Sequence, residues 1–194
     1  MTLTLLVDTE TVGLPKSWQA PSTDFANWPR LVEIAWKIVP SDTFTTPTLY
    51  RVKPNGFTIP AEATRVHGIT TEAAHATGRD LPDVLSSLAF DLQLCDTIVA
   101  HNARFDRKIL EAEFLRCGQP VPWEGRKDSW KCSMLSTTRL CNIKGPRGPK
   151  WPRLEELYWH LFRERPPEGQ HSAGVDVGML ERCYLELMKR RVVL

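Results

Sequence analysis

Residues 5–14 have the sequence LLVDTETVGL, the stretch that is most informative about the fold. Its nearly continuous apolar start is typical of a central strand that is covered on both faces. Side chains alternate along a strand, so Asp8 and Glu10 project from one face while Thr9 projects from the other. Two carboxylates in one small volume raise each other's pKa unless a cation lies between them. The stretch predicts either a site for a hard divalent cation, Mg²⁺ or Mn²⁺, or a polar strand end that enters a turn.

The rest of the hydrophobic pattern predicts an α/β fold with a mixed sheet. Residues 31–39 and 48–54 alternate like the two strands of a hairpin, joined through the turn-rich residues 40–46 and antiparallel to the first strand. From residue 80 the apolar spacing becomes helical. Helices are predicted at 81–92, 106–118, 133–140, 153–162 and 175–191, and a short strand is predicted at 97–102.

Two further acids and a histidine change the interpretation of the first pair. Asp106 follows the strand at 97–102 and starts a helix, whose positive end tolerates a carboxylate. Asp176 lies at the start of the apolar stripe of the last helix. Because a buried charge without a partner is unfavourable, a metal or a basic side chain is expected beside it. His171 precedes it by five residues, and histidine is suited to remove a proton from water. Each residue alone also fits a plain structural role at a helix end.

Taken in order, three segments resemble the motifs of the DEDDh 3′-5′ exonucleases. They are DTETVGL (8–14), HNARFD (101–106) and HSAGVD (171–176), and RVHGIT (65–70) resembles the family's segment before its long helix. This family includes the epsilon proofreading subunit of bacterial replicative polymerase, RNase T and oligoribonuclease. The resemblance implies an RNase H-like fold, in which helices flank a mixed five-stranded sheet whose first three strands are antiparallel.

The resemblance also implies roles for five residues. Asp8, Glu10, Asp106 and Asp176 are expected to bind metal, and His171 is expected to be the general base. Two Mg²⁺ or Mn²⁺ ions would clamp the terminal phosphodiester, one activating the water that His171 deprotonates and the other stabilising the departing 3′ oxygen. Nucleoside 5′-monophosphates would leave one at a time.

Substrate contacts are implied by the same similarity. The residues expected to contact the terminal nucleotide are Thr9, Leu14, His67, Asn102 and Phe105. Leu14 and Phe105 fit ordinary packing roles equally well. Cys132 and Ser133 stand where many family members have an Asp-Thr pair, a departure at a supporting position that leaves the metal-binding positions intact.

Two loops and a basic region have no assigned role. Residues 15–30 predict either a functional flap or a decorated surface loop. Residues 124–153 carry eight Lys or Arg residues against two acids. Within them KGPRGPKWPR (144–153) joins cations to Trp151, a combination suited to phosphates and a stacked base; a solvated loop is the alternative.

Composition limits the class of protein. At 194 residues and with 42% hydrophobic residues, the chain is long enough for one substantial core, so we expect a single domain. The net charge of +2 is weak evidence for any partner. The resemblance implies that residues 1–194 form one exonuclease domain. Five cysteines without a CxxC pair argue against a disulfide framework or a zinc site and for a reducing compartment. With no signal-like start and no long apolar run, we expect a cytoplasmic protein that does not enter a membrane.

The expected partner is nucleic acid with a free 3′ end, with single-stranded DNA or frayed DNA ends favoured. One alternative is an exoribonuclease that trims RNA ends or short oligoribonucleotides. Another, of a different class, is a nucleic-acid-binding or polymerase-associated module with little catalysis, which the five intact chemical positions disfavour. Some relatives form homodimers, and the sequence leaves both a homodimer and a polymerase partner open.

Overall fold

The computed structural model describes residues 3–39, 46–126, 128–169, 171–192 and 194. The main strands are β1 (Thr4–Thr11), β2 (Leu31–Val39), β3 (Thr48–Arg51), β4 (Thr97–Ala100) and β5 (Trp130–Cys132). They form one sheet in the order β3-β2-β1-β4-β5. β2 lies antiparallel between β1 and β3, whereas β4 runs parallel to both β1 and β5. The predicted α/β class, with a mixed five-stranded sheet and three antiparallel strands first, is confirmed.

The described part of the chain contains seven helices. They are α1 (Ala61–His67), α2 (Thr71–Thr77), α3 (Leu81–Leu92), α4 (Ala103–Arg116), α5 (Ser133–Cys141), α6 (Leu154–Phe162) and α7 (Ala173–Lys189). Two short strands, β6 (Lys144–Gly145) and β7 (Gly148–Pro149), pair as a separate hairpin between α5 and α6. None of these helices has both the length and the apolar character that crossing a membrane would require.

Strand β1 is central and buried on both faces, as its sequence predicts. Leu5 and Val7 join the core formed with α3 and α4, whereas Leu6 joins the core formed with α7. Each large apolar side chain buried in this way contributes about 1.5–3 kcal/mol. Because the alternation continues past Val7, the side chains of Asp8 and Glu10 follow Leu6 toward α7, and Thr9 follows Val7 toward α4.

The last helix closes the second face of the sheet. Its predicted apolar stripe is confirmed, since Leu180, Cys183 and Leu187 are buried. Leu180 packs in the core with Leu6 of the sheet, and Cys183 and Leu187 pack in a further cluster with α6. α7 is thereby held against β1 and β2, and its first turn is placed beside the end of β1.

Several elements differ from the sequence prediction. β5, α1 and α2 were not predicted as separate elements, because segments of three to seven residues carry too little periodicity. β3 and β4 end at Arg51 and Ala100, earlier than predicted, and α4 begins at Ala103, earlier than predicted. Residues 40–45 of the predicted turn lie outside the described residues.

Candidate metal centre

Two carboxylates of the site come from the end of β1. Asp8 and Glu10 are each partly buried, and they share the face that looks toward α7. This is the arrangement that strand alternation predicts. The pairing of β1 with β2 continues through Glu10 and shifts between Glu10 and Thr11, so the sheet becomes irregular directly after the second acid.

A third carboxylate reaches the site from the first turn of α4. Asp106 is 2% exposed, and its Oδ1 accepts a hydrogen bond from the Thr9 hydroxyl at 2.8 Å. Asn102 makes the turn from β4 into α4 with the left-handed φ of 74°, a conformation that asparagine tolerates better than most residues. The turn brings Asp106 back to β1, so strand β1 and helix α4 hold their acids together.

The fourth carboxylate and the histidine lie at the start of α7. Asp176 is in the first turn, and its Oδ2 accepts a hydrogen bond from the backbone N–H of His171 at 3.1 Å. His171 is exposed and has a left-handed φ of 66°. Asp176 therefore fixes the backbone of His171 while the imidazole stays accessible to solvent.

Three of these residues converge closely enough to share a cation. The ligand atoms of Glu10, His171 and Asp176 lie within 4.8 Å of one another. One ion with ligand distances of about 2.0–2.6 Å spans such a group. Carboxylate oxygens with one imidazole are a donor set that suits a hard or borderline divalent cation. The residues therefore fit the divalent metal that the sequence predicts.

Electrostatics show why the cluster needs a cation. Burial, followed by the nearby carboxylates, of which Asp106 is the strongest, raises the pKa of Asp8 well above its ordinary value. Burial and the carboxylates of Asp176, Glu33 and Asp106 raise the pKa of Glu10 to about 8. Burial raises the pKa of Asp106 to about 7 and that of Asp176 to about 6. Each acid is hard to ionise until positive charge arrives.

Glu33 is a fifth acid at the site, and the sequence analysis missed it. It is 3% exposed and lies opposite Glu10 in the register of β1 and β2. Its Oε1 accepts hydrogen bonds from the Ala173 backbone N–H at 3.2 Å and from the Ser172 hydroxyl at 3.4 Å, and its Oε2 lies 3.5 Å from Arg51. The available signal was a lone acid inside the apolar run LVEIAWKIV (31–39).

Three of the predicted substrate residues surround the end of β1. Leu14 is 76% exposed and follows the acids directly, so its side chain is available to a ligand. Phe105 is partly buried and lies next to Trp18, with ring centroids 6.0 Å apart. The Thr9 hydroxyl is engaged with Asp106, which gives it an orienting role. Nucleotide contact by these three residues stays a prediction.

The other two predicted substrate residues are Asn102, at the start of α4, and His67, at the end of α1. The Asn102 side chain makes no capping hydrogen bond to α4. His67 Nδ1 accepts from the Ile69 backbone N–H at 3.1 Å, and the ring also hydrogen-bonds with the Thr11 backbone. Burial lowers the pKa of His67, which favours the neutral imidazole. Contact of either side chain with a nucleotide also stays a prediction.

The loop at 15–30 folds back on the protein. Trp28 is 2% exposed, and its indole N–H donates to the Pro21 carbonyl at 3.0 Å. Arg104 of α4 donates to the carbonyl of Trp18, and Ser22 donates to Glu111 of α4. This loop therefore covers α4 and carries Trp18 to Phe105, close to the turn that precedes Asp106.

The supporting position that departs from the family pattern is filled by Ser133. Ser133 is fully buried, and its Oγ lies 2.9 Å from His101 Nδ1. His101 Nε2 lies 2.9 Å from the Pro152 carbonyl, which can only accept, so this nitrogen donates. Burial lowers the pKa of His101, which keeps the ring neutral. Ser133 and Pro152 thus hold the residue that precedes Asn102.

Comparisons with known structures identify proteins that share this fold. E. coli exonuclease I in complex with a dA16 oligonucleotide matches with a TM-score of 0.71 at 20% sequence identity, covering 99% of this chain and 42% of that chain. The zinc-bound complex of E. coli exonuclease I with single-stranded DNA gives a TM-score of 0.73 at 20% identity, covering 98% of this chain and 41% of that chain. Another exonuclease I structure gives a TM-score of 0.75 at 20% identity, covering 99% and 42%. Identity this low shows the RNase H-like fold alone.

The chain spans about two-fifths of the length of these exonuclease I chains. No curated protein sequence matches it. A family model for exonucleases, that of RNase T, matches residues 5–184, nearly the whole chain and every acid of the site. The chain therefore belongs to the RNase T exonuclease family.

Proposed function

We propose that this protein is a 3′-5′ exonuclease of the DEDDh type that releases nucleoside 5′-monophosphates, with residues 1–194 acting as one domain. The observation that carries the proposal is the convergence of four acids from β1, α4 and α7 with His171 at the open side of the cluster. Several acids with raised pKa values in one place are typical of a functional site.

The acids hold two divalent cations, Mg²⁺ or Mn²⁺, in this proposal. When bound, the cations neutralise the phosphodiester and acidify a water. Asp8, Glu10, Asp106 and Asp176 supply oxygen ligands, and Thr9 holds Asp106 through its hydroxyl. Because these side chains are fixed by the sheet and by two helix starts, the site needs little rearrangement to receive the cations.

His171 acts as the general base. Its imidazole is exposed, while its backbone is tied to Asp176, so the ring can reach a water near the carboxylates. A neutral imidazole accepts the proton as the water attacks phosphorus in line with the departing 3′ oxygen. The reaction needs no covalent enzyme intermediate.

Single-stranded DNA, or a frayed DNA end, is the substrate we favour. The exonuclease I structures with the same fold hold dA16 and dT13 oligonucleotides, which supports this choice. A second candidate is the 3′ end of RNA or a short oligoribonucleotide, because the matching family model is named for RNase T.

A time course on matched DNA and RNA oligonucleotides, labelled at the 5′ or the 3′ end, tests the proposal. With Mg²⁺ or Mn²⁺, 5′-labelled strands should shorten one nucleotide at a time and 3′-labelled strands should release labelled mononucleotide at once. EDTA should stop both reactions. The ratio of the rate on DNA to the rate on RNA shows whether the enzyme prefers deoxyribose or ribose substrates. Binding of single strands without release of mononucleotides would contradict the enzyme and favour a binding module.

A further inference from the structure

The segment 144–153, here called the basic arm, is attached directly to the candidate active site. Its residue Pro152 is buried, and the Pro152 carbonyl accepts a hydrogen bond from His101 Nε2 at 2.9 Å. His101 immediately precedes Asn102, which makes the turn into α4 and so positions Asp106. On its other side the arm leads into α6, whose Glu155 is near enough to raise the pKa of Asp176. The arm therefore lies beside the metal centre.

The basic arm is held in one shape. Its first half is the β6–β7 hairpin, and the backbone N–H of Lys150 donates to the Ile143 carbonyl at 2.9 Å. At its second half, Glu156 accepts from the Arg153 backbone N–H at 2.8 Å and from Lys150 Nζ at 2.6 Å. These contacts favour an ordered arm over the solvated, flexible loop that the sequence also allowed. A fixed arm loses little entropy when it binds a ligand.

The outer surface of the basic arm carries exposed cations and an exposed indole. Lys144 and Arg147 are exposed, and neither forms an ion pair with any described residue. Trp151 is 64% exposed, beside the buried Pro152 that anchors the arm. An indole with an open face next to unpaired cations is the combination that single-stranded nucleic acid binds, through base stacking and phosphate contacts.

We propose that the basic arm binds the single strand 5′ to the terminal nucleotide, with Trp151 stacking on a base and Arg147 and Lys144 contacting phosphates. The inference rests on the proposed function, because the terminal nucleotide must occupy the metal centre. Phe105, which is expected to contact that nucleotide, lies beside Trp18 of the loop at 15–30, and Leu14, which has the same expected role, directly precedes this loop. The basic arm leads into α6 and is therefore available to the nucleotides that lie 5′ to the terminal one.

Trp151→Ala and Arg147→Glu test the basic arm, with substrates of two lengths. The ratio of kcat/KM for a dT oligonucleotide of about 15 nucleotides to that for a dinucleotide should fall about 5-fold or more in each variant. Fluorescence anisotropy with the same strand should show a matching loss of affinity. For Arg147→Glu, the slope of log affinity against log salt should also decrease by about one. Trp151→Phe should retain most of the preference, because it keeps a stacking face.

Matched controls separate this effect from general changes. Phe90→Ala removes an aromatic side chain that is 68% exposed on α3, and Lys189→Glu reverses a charge whose side chain is 77% exposed on α7. Neither should change the length preference. If Trp151→Ala and Arg147→Glu behave like these controls while the wild-type protein is active, the basic arm does not bind the strand. If the wild-type protein releases no mononucleotide, the proposed function itself fails.

Discussion

The carboxylate of Glu33, on β2, accepts a hydrogen bond from the backbone N–H of Ala173, the first residue of α7, at 3.2 Å. The same oxygen lies 3.4 Å from the Ser172 hydroxyl, at the N-cap of the helix. A buried acid of the sheet thus caps the helix that carries Asp176, where the positive end of the helix dipole favours a negative charge. Glu33 therefore holds the start of α7 against β2, and we predict that it positions Asp176 in this way.

Replacing Glu33 by Ala should separate this positioning role from mere packing. The change leaves the Ala173 N–H without a partner, which should lower the free energy of unfolding by about 1–3 kcal/mol. Glu33→Gln keeps an oxygen acceptor and should restore most of that loss. Chemical denaturation measures the stability, and calorimetry with Mn²⁺ measures the site. If Glu33→Ala weakens Mn²⁺ binding no more than Glu33→Gln does, Glu33 does not position the ligands.

The stability of the metal-free protein should fall as the pH rises from about 6 to 8. Glu10, Asp106 and Asp176 have folded-state pKa values of about 8, 7 and 6, above the ordinary values of 4.5, 3.8 and 3.8. The folded state therefore holds more protons than the unfolded state in this window. The contribution is complete below the ordinary pKa values and is lost as the pH rises through the raised ones.

Thermal melts in EDTA at about pH 6 and pH 8 measure this loss, which should lower Tm by on the order of several degrees. Adding Mg²⁺ or Mn²⁺ should raise Tm more at the higher pH, because the cation binds the ionised acids. A Tm in EDTA that rises with pH across this window, or a cation effect that is independent of pH, would show that burial and nearby charge do not raise the pKa values of these acids in the folded state.

Removal of the His171 side chain should lower kcat by a factor of about 10² to 10⁴, the usual contribution of a general base. Its backbone φ of 66° penalises most residues, so His171→Asn is the better variant and His171→Ala the comparison. Mn²⁺ binding measured by calorimetry should persist in both. The ligand atoms of His171, Glu10 and Asp176 lie within 4.8 Å of one another. If both the metal affinity and kcat fell, His171 would be a metal ligand and not the general base.

Thr9→Val should weaken the site without touching a metal ligand. The change keeps the shape of the side chain but removes the hydroxyl that donates to Asp106 Oδ1 at 2.8 Å. Loss of such a supporting hydrogen bond usually lowers metal affinity or activity by about 10- to 100-fold. Thr9→Ser keeps the hydroxyl and should stay close to the wild-type protein. Equal Mn²⁺ affinity and equal kcat in Thr9→Val and Thr9→Ser would remove this role from Thr9.

The sequence predicted the acids of the site, but it did not predict the residue that holds them in place. Alternation along β1 placed Asp8 and Glu10 together, and the helical stripe placed Asp176 on the buried side of α7, because both periods are local properties of the chain. Glu33 was missed because its partners, Ala173 and Ser172, are remote in sequence and meet it only after folding. The lone acid in residues 31–39 indicates a buried charge, but it does not identify the partners of that charge.

Short elements were missed for a related reason. β5 has three residues, and its backbone pairs with β4, so tertiary contact rather than sequence propensity makes it a strand. The hairpin of β6 and β7 has two residues in each strand and appeared in the sequence only as a loop rich in Pro and Gly. The anchoring of that loop through Pro152 to His101 joins positions that are far apart in the chain.

Calorimetric titration of Mn²⁺ into the wild-type protein and into Asp8→Asn and Asp176→Asn variants measures most directly whether the acids form one cation site. Each variant removes one charge while keeping the side-chain shape, so each should fold, bind Mn²⁺ far more weakly and lose nearly all exonuclease activity. Unchanged Mn²⁺ affinity and turnover in both variants would contradict a shared metal centre built by β1 and α7.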